Sequence, residues 1–133
     1  MVPTNPEVSS VCDSDRIIGL LDSKSLEAEN GETMEKHLLL TRYETARAER
    51  GDMLKVDDVL EILSIPLPGI IPESMDVLRA SNVGSPVTLA DGRSAPAIAY
   101  FEAARRLNGE ALPVVIRGDK RGLFGKIFGR RVA

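Results

Sequence analysis

Three short apolar runs, separated by stretches of helical period, constrain this chain more than any other feature. A strand, a crossover helix and a second strand return parallel, because that is how a right-twisted strand repacks on its own sheet. Residues 1–6 form the stub of a strand ending in a turn. Ser9 or Ser10 then caps a predicted helix to about Glu29, carrying Ile17, Ile18, Leu20 and Leu21, and Asn30-Gly31 ends it. His37-Leu38-Leu39-Leu40-Thr41-Arg42-Tyr43 is the second strand, and its unbroken apolar centre suits burial on both faces.

Val56, Val59, Leu60 and Leu63 follow the i, i+3, i+4, i+7 spacing of an amphipathic helix, with Asp57 and Asp58 in its first turn, where the helix dipole favours acids. Residues 67–71 make a brief strand closed by Pro72, and Ser74 caps a short helix that reaches residues 78–81. Residues 83–92, with Gly84 and Pro86, read as a loop. Ser94 caps the last helix, with Ala97, Tyr100, Phe101, Ala104 and Leu107 as its predicted core stripe and Gly109 as its stop. Residues 112–116 are an edge strand or a linker. The alternation predicts an α/β fold, a partial doubly wound parallel sheet. About three strands are few for a sheet covered on both faces, so the chain reads as the second half of a larger one.

The size of 133 residues, 43% hydrophobic and 28% charged, suits one globular domain. Asp13, Asp15 and several prolines occupy the first 16 residues, so no secretory signal is visible and a cytoplasmic location is expected. Cys12 is the single cysteine, which excludes an internal disulfide, and His37 the single histidine, which leaves no Cys/His zinc set. Both read as structural positions. The net charge of −3 conceals an asymmetry: residues 117–133 hold six of the 17 Lys and Arg but one of the 20 acids, so the tail carries +5 and the body −8. So acidic a body argues against a nucleic-acid partner.

The tail combines those cations with Leu123, Phe124, Ile127 and Phe128, which on a helix fall within about 140° of one face. Lys126 and Arg130 flank that face, whereas Lys120 and Arg131 project near it and have to snorkel. The stretch is far shorter than the roughly 20 residues of a membrane span, and Gly122, Gly125 and Gly129 weaken the helix in water. It fits a segment that turns helical on contact with an interface. Four apolar groups worth about 1.5–3 kcal/mol each if fully buried, plus about 1 kcal/mol per cation near anionic lipid, less the cost of ordering, predict weak and reversible anchoring. A solvated basic tail, or a short helix packed on its own domain, has the same spacing.

Chemical motifs are sparse. Neither Gly-x-x-x-x-Gly-Lys-Ser/Thr nor Gly-x-Gly-x-x-Gly occurs, and a lone histidine supports no triad. The acid pairs Asp13/Asp15 and Asp57/Asp58 do not face each other on a helix and read as solvated or dipole-complementing. Composition and spacing alone therefore stop at a non-enzymatic α/β unit with a membrane-seeking tail.

The string itself goes further. Thr4-Asn5-Pro6-Glu7-Val8-Ser9-Ser10-Val11, Asp13-Ser14-Asp15-Arg16-Ile17, the 37–43 strand, Arg50-Gly51-Asp52-Met53-Leu54, Asp58-Val59-Leu60-Glu61-Ile62-Leu63, Ile71-Pro72-Glu73 and Val77-Leu78-Arg79-Ala80-Ser81-Asn82 closely resemble the C-terminal half of the MinD family. These are deviant Walker-A ATPases of the ParA type that determine the bacterial septum site. The resemblance implies a P-loop NTPase domain half over residues 1–116 and a membrane-targeting amphipathic helix in 117–133. Leu123, Phe124, Ile127 and Phe128 would be inserted, with Lys126, Arg130 and Arg131 on lipid phosphates. It implies ATP with Mg as cofactor of the intact family, a homodimer, MinC and MinE as partners, and a peripheral place on the inner face of the cell membrane.

By the same resemblance Arg42, Pro72 and Glu73 are adenine-side contacts, and Glu7, Ser9, Asp13 and Asp15 belong to the MinC and MinE surface. Cys12 replaces an arginine usual in the family. The phosphate loop, its lysines and both switch regions belong to the family's N-terminal half and are not among these residues. The chain alone is expected neither to hold ATP tightly nor to hydrolyse it.

Overall fold

The computed structural model describes residues 1–25, 29–32 and 34–118. Its centre is a three-stranded parallel sheet in the order β1-β2-β3, formed by Val2–Thr4, Leu38–Tyr43 and Gly69–Pro72. Val2 pairs with Leu38 and Thr4 with Leu40 across the first ladder, and Leu39 with Gly69 and Leu40 with Ile70 across the second. The small parallel α/β sheet expected from the alternation is present. Leu38 and Leu40 of the central strand are completely buried.

α1 (Val8–Lys24) connects β1 to β2, while α2 (Thr45–Arg50) and α3 (Val56–Leu63) lie between β2 and β3. α1 and α3 pack together and cover one sheet face, with Val11 and Ile18 meeting Val59, Leu63, Leu38, Leu40 and Ile70. The amphipathic period of α3 is as predicted: Val59 and Leu63 are buried and Val56 and Leu60 partly so. The Lys55 amide that opens this helix donates to Asp58 at 3.1 Å, so the first-turn acid caps as well as complements the dipole. Inside the α1–β1 contact the buried hydroxyls of Thr4 and Ser14 bond to each other. α1 starts earlier than expected, with Glu7 rather than Ser9 or Ser10 at its N-cap, because Pro6 fixes the turn just before it; its regular span ends at Lys24.

Past β3 come α4 (Met75–Asn82), α5 (Val87–Ala90) and α6 (Ala95–Leu107). Ser74 caps α4 by accepting from the Asp76 amide at 3.1 Å, as its sequence signature predicts. α5 lies inside the stretch expected to be all loop; Val87 is buried there, and one turn is too short to register as a period.

The stripe expected on α6 is corrected. Ala97 is buried, but Phe101 is 50% and Leu107 44% exposed, Ala104 is exposed and Tyr100 only partly covered; the helix buries Pro96, Ala97, Ala99 and Ala103. Gly69 is the reason. A Cβ on it would stand 2.6 Å from the Ala103 Cβ, so helix and strand approach closely and only small side chains fit between them. α6 thereby covers the sheet face opposite α1 and α3. Residues 112–118 form no strand; they run as a strap along the body, with Val114 and Ile116 against the core cluster.

Candidate functional site

The carboxyl ends of β2 and β3 hold the site. One residue is inserted in β2 between Leu40 and Tyr43 relative to β3, and Arg42 takes the left-handed φ of +57° within that bulge. A bulge re-aims a side chain. Arg42 turns outward and its Nε donates to Glu73 Oε2 at 2.8 Å, while the Glu73 amide donates to the Tyr43 carbonyl at 3.0 Å. The pair is solvent-exposed, so it orients more than it stabilises. The hydrogen bond to Glu73 and the nearby carboxylate charge hold the Arg42 guanidinium above its usual pKa.

A cleft of about 140 Å3 opens beside this pair, lined by Tyr43, Glu44, Thr45, Pro72, Glu73 and Arg117. Burial of Tyr43 pushes its phenol pKa upward and keeps it neutral. Gly118 closes one side at a φ of +100°, where a Cβ would lie 3.1 Å from the Pro72 Cβ. The strap reaches this position through two arginines. Arg106 donates from Nη1 to the Pro68 carbonyl at 2.8 Å, from Nε to Leu112 at 2.9 Å, and from Nη2 to Pro113. Arg117 donates from Nε at 3.2 Å and from Nη2 to the two carboxylate oxygens of Glu102 on α6. Those hydrogen bonds hold the Glu102 carboxyl below the ordinary glutamate range.

The structure thus brings Arg42, Pro72 and Glu73 together across 31 residues of sequence. Tyr43, Thr45, Arg117 and Glu102 were not anticipated. A local reading has no signal for the last two, since a pair 15 residues apart looks like any two surface charges.

The residues at the start of α1 are brought together only in part. Glu7 is its N-cap, and Ser9 and Asp13 lie one turn apart on the exposed side with Cys12 and Arg16. Asp13 pairs with Arg16 at 3.4 Å. Asp15, two positions on, projects away from them, as the helical period requires. Thr41 of β2 donates to Asn5 Oδ1 at 2.9 Å and so fixes the turn ahead of Glu7. Glu7 also borders a second, shallow cleft of about 370 Å3 with Asp52, Lys55 and Asp58. His37 pairs with Glu35 at 3.3 Å, and Cys12 is exposed. The tail positions Leu123, Phe124, Lys126, Ile127, Phe128, Arg130 and Arg131 lie outside the described residues. No described helix is long and apolar enough to cross a membrane.

A parallel sheet with helices on both faces and polar side chains gathered at its strands' carboxyl ends defines the open α/β class, whose ligands bind at that edge. Within it, the chain is 54% identical over 131 residues to the septum site-determining protein MinD of Escherichia coli K12, covering 97% of this chain and 48% of that protein. The match is that of a C-terminal half of MinD. The chain spans about half the length of the curated relatives it matches. MinD in a solved MinC:MinD cell division protein complex from Aquifex aeolicus superposes with a TM-score of 0.74 at 36% identity, over 87% of this chain and 45% of that one. The Pyrococcus horikoshii MinD solved with Mg-ADP shares the fold, with a TM-score of 0.63 at 24% identity over 79% of this chain and 39% of its own. No family model matches the chain.

Proposed function

We propose that these residues are the membrane-binding and partner-binding half of a MinD-type protein of bacterial division-site placement, an ATP-dependent inhibitor of polar septum formation. The 54% identity to MinD across nearly the whole chain carries this reading. Residues 1–116 form the domain half and 117–133 the membrane-targeting tail, whose first two residues, Arg117 and Gly118, are still held on the body. The cleft beside Arg42, Pro72 and Glu73 takes the adenine side of ATP. The start of α1, with Glu7, Ser9, Asp13 and Asp15, meets MinC and MinE; the Aquifex MinC:MinD complex supports MinC as a partner, being one formed by a relative of this chain. Homodimerisation follows the intact family. Among the described residues no group of three or more His, Cys, Asp or Glu side chains gathers that could hold a metal ion.

A second reading is that these 133 residues act by themselves without catalysis, binding the inner membrane surface and competing for MinC or MinE. Both readings need the tail. Co-sedimentation with phosphatidylglycerol-rich vesicles should retain the 133-residue protein. Phe124→Asp should lower the bound fraction roughly tenfold, because one large apolar group contributes about 1.5–3 kcal/mol when buried. Binding unchanged in that variant but abolished by salt would reduce the tail to an electrostatic patch and overturn the inserted face.

A further inference from the structure

We propose that Arg117 forms the wall of a purine-nucleoside subsite at the carboxyl ends of β2 and β3, with Glu102 as its positioning residue. The inference rests on the base-side reading of that cleft and adds to it the residue that a base would lie against.

Arg117 meets Glu102 through Nε and Nη2 on two different carboxylate oxygens, a two-point contact that fixes the plane of the guanidinium as well as its position. Glu102 is itself fixed, one helical turn before Arg106 and 3.5 Å from it, and Arg106 is bonded to three carbonyls of β3's approach and the strap. The chain beside Arg117 is equally constrained, because Gly118 packs so close to Pro72 that any side chain would crowd it. Arg117 therefore lines the cleft together with Pro72 and the buried Tyr43, its guanidinium held in a fixed plane by Glu102. Guanidinium planes stack on nucleobases, and a plane held before binding loses little freedom on binding. Glu73 lines the cleft and offers a carboxylate acceptor to a base edge, with Arg42 bonded to it from outside the lining. The cleft is too small for a whole nucleotide but suits the insertion of a ring.

Adenosine is the probe, because it carries the base without phosphates and so does not depend on a phosphate loop. Ligand-observed NMR titration of the full 133-residue chain compares the wild type with Arg117→Gln, Glu102→Gln, Arg42→Gln and the charge swap Glu102→Arg with Arg117→Glu; thermal melts run in parallel. Arg117→Gln should weaken adenosine binding at least roughly fivefold, the scale of one lost stacking contact. Glu102→Gln should weaken it less. The swap restores the pair, so its melting temperature should return toward wild type while adenosine binding stays lost; a merely structural strap would recover both. Recovery of binding in the swap, with Arg42→Gln still defective, would overturn the role of Arg117 and leave the base-side reading standing. Absence of adenosine binding in the wild type would overturn both.

Discussion

Gly69 shows how one residue decides which face a helix presents. The Cβ that Gly69→Ala introduces would stand 2.6 Å from the Ala103 Cβ, both parts being on rigid elements. The variant should lose about 1–3 kcal/mol in urea unfolding, and Ala103→Gly placed beside it should recover part of that loss. An additive double mutant would show that the contact relaxes by other means. Glu102 makes a second prediction at this scale. Arg117's hydrogen bonds lower its carboxyl pKa from the ordinary 4.5, so the ionised form stabilises the fold fully above that unfolded value. The contribution fades as pH falls through the lower folded value. Wild type should therefore exceed Glu102→Gln by a constant margin at neutral pH, and the gap should close on the acid side of 4.5. A margin that widened in acid would contradict the pairing.

At the scale of elements, the strap is held by a few charged hydrogen bonds and two half-buried side chains, Val114 and Ile116. Arg106→Ala removes the bonds to the Pro68, Leu112 and Pro113 carbonyls at once. The loss should amount to about 1.5–3 kcal/mol for bonds to a charged group, and amide exchange should rise across 112–118 before it rises in β2. Exchange rising equally in both would mean that strap and sheet open together. α3 was legible because its four apolar positions repeat within two turns. α6 was legible as a helix but not in its orientation: its large residues share a face as well as its small ones do, and period alone does not choose between them.

The whole molecule leaves apolar surface uncovered: Ile17, Leu20, Leu78, Leu89 and Phe101 are each at least half exposed. The sheet has three strands among the described residues, so β1 and β3 each present an outer edge there. Edges and patches of this kind promote association. Sedimentation velocity should show species heavier than 14.4 kDa growing with concentration. A monodisperse, cooperatively melting monomer at all concentrations would mean that the half-sheet is self-sufficient.

What the residues determine on their own is local. The 3.6 and 2.0 periods, the Ser74 cap and the acids opening α3 depend on neighbours a few positions away, and with them came the α/β class and the resemblance to MinD. What tertiary structure decided is every relation across distance. The bulge in β2 turns Arg42 toward Glu73, Gly69 draws the alanines of α6 onto the sheet, and Glu102 aligns Arg117 at the cleft. Such contacts depend on how closely two elements approach, and that separation is set only when both pack on the same sheet.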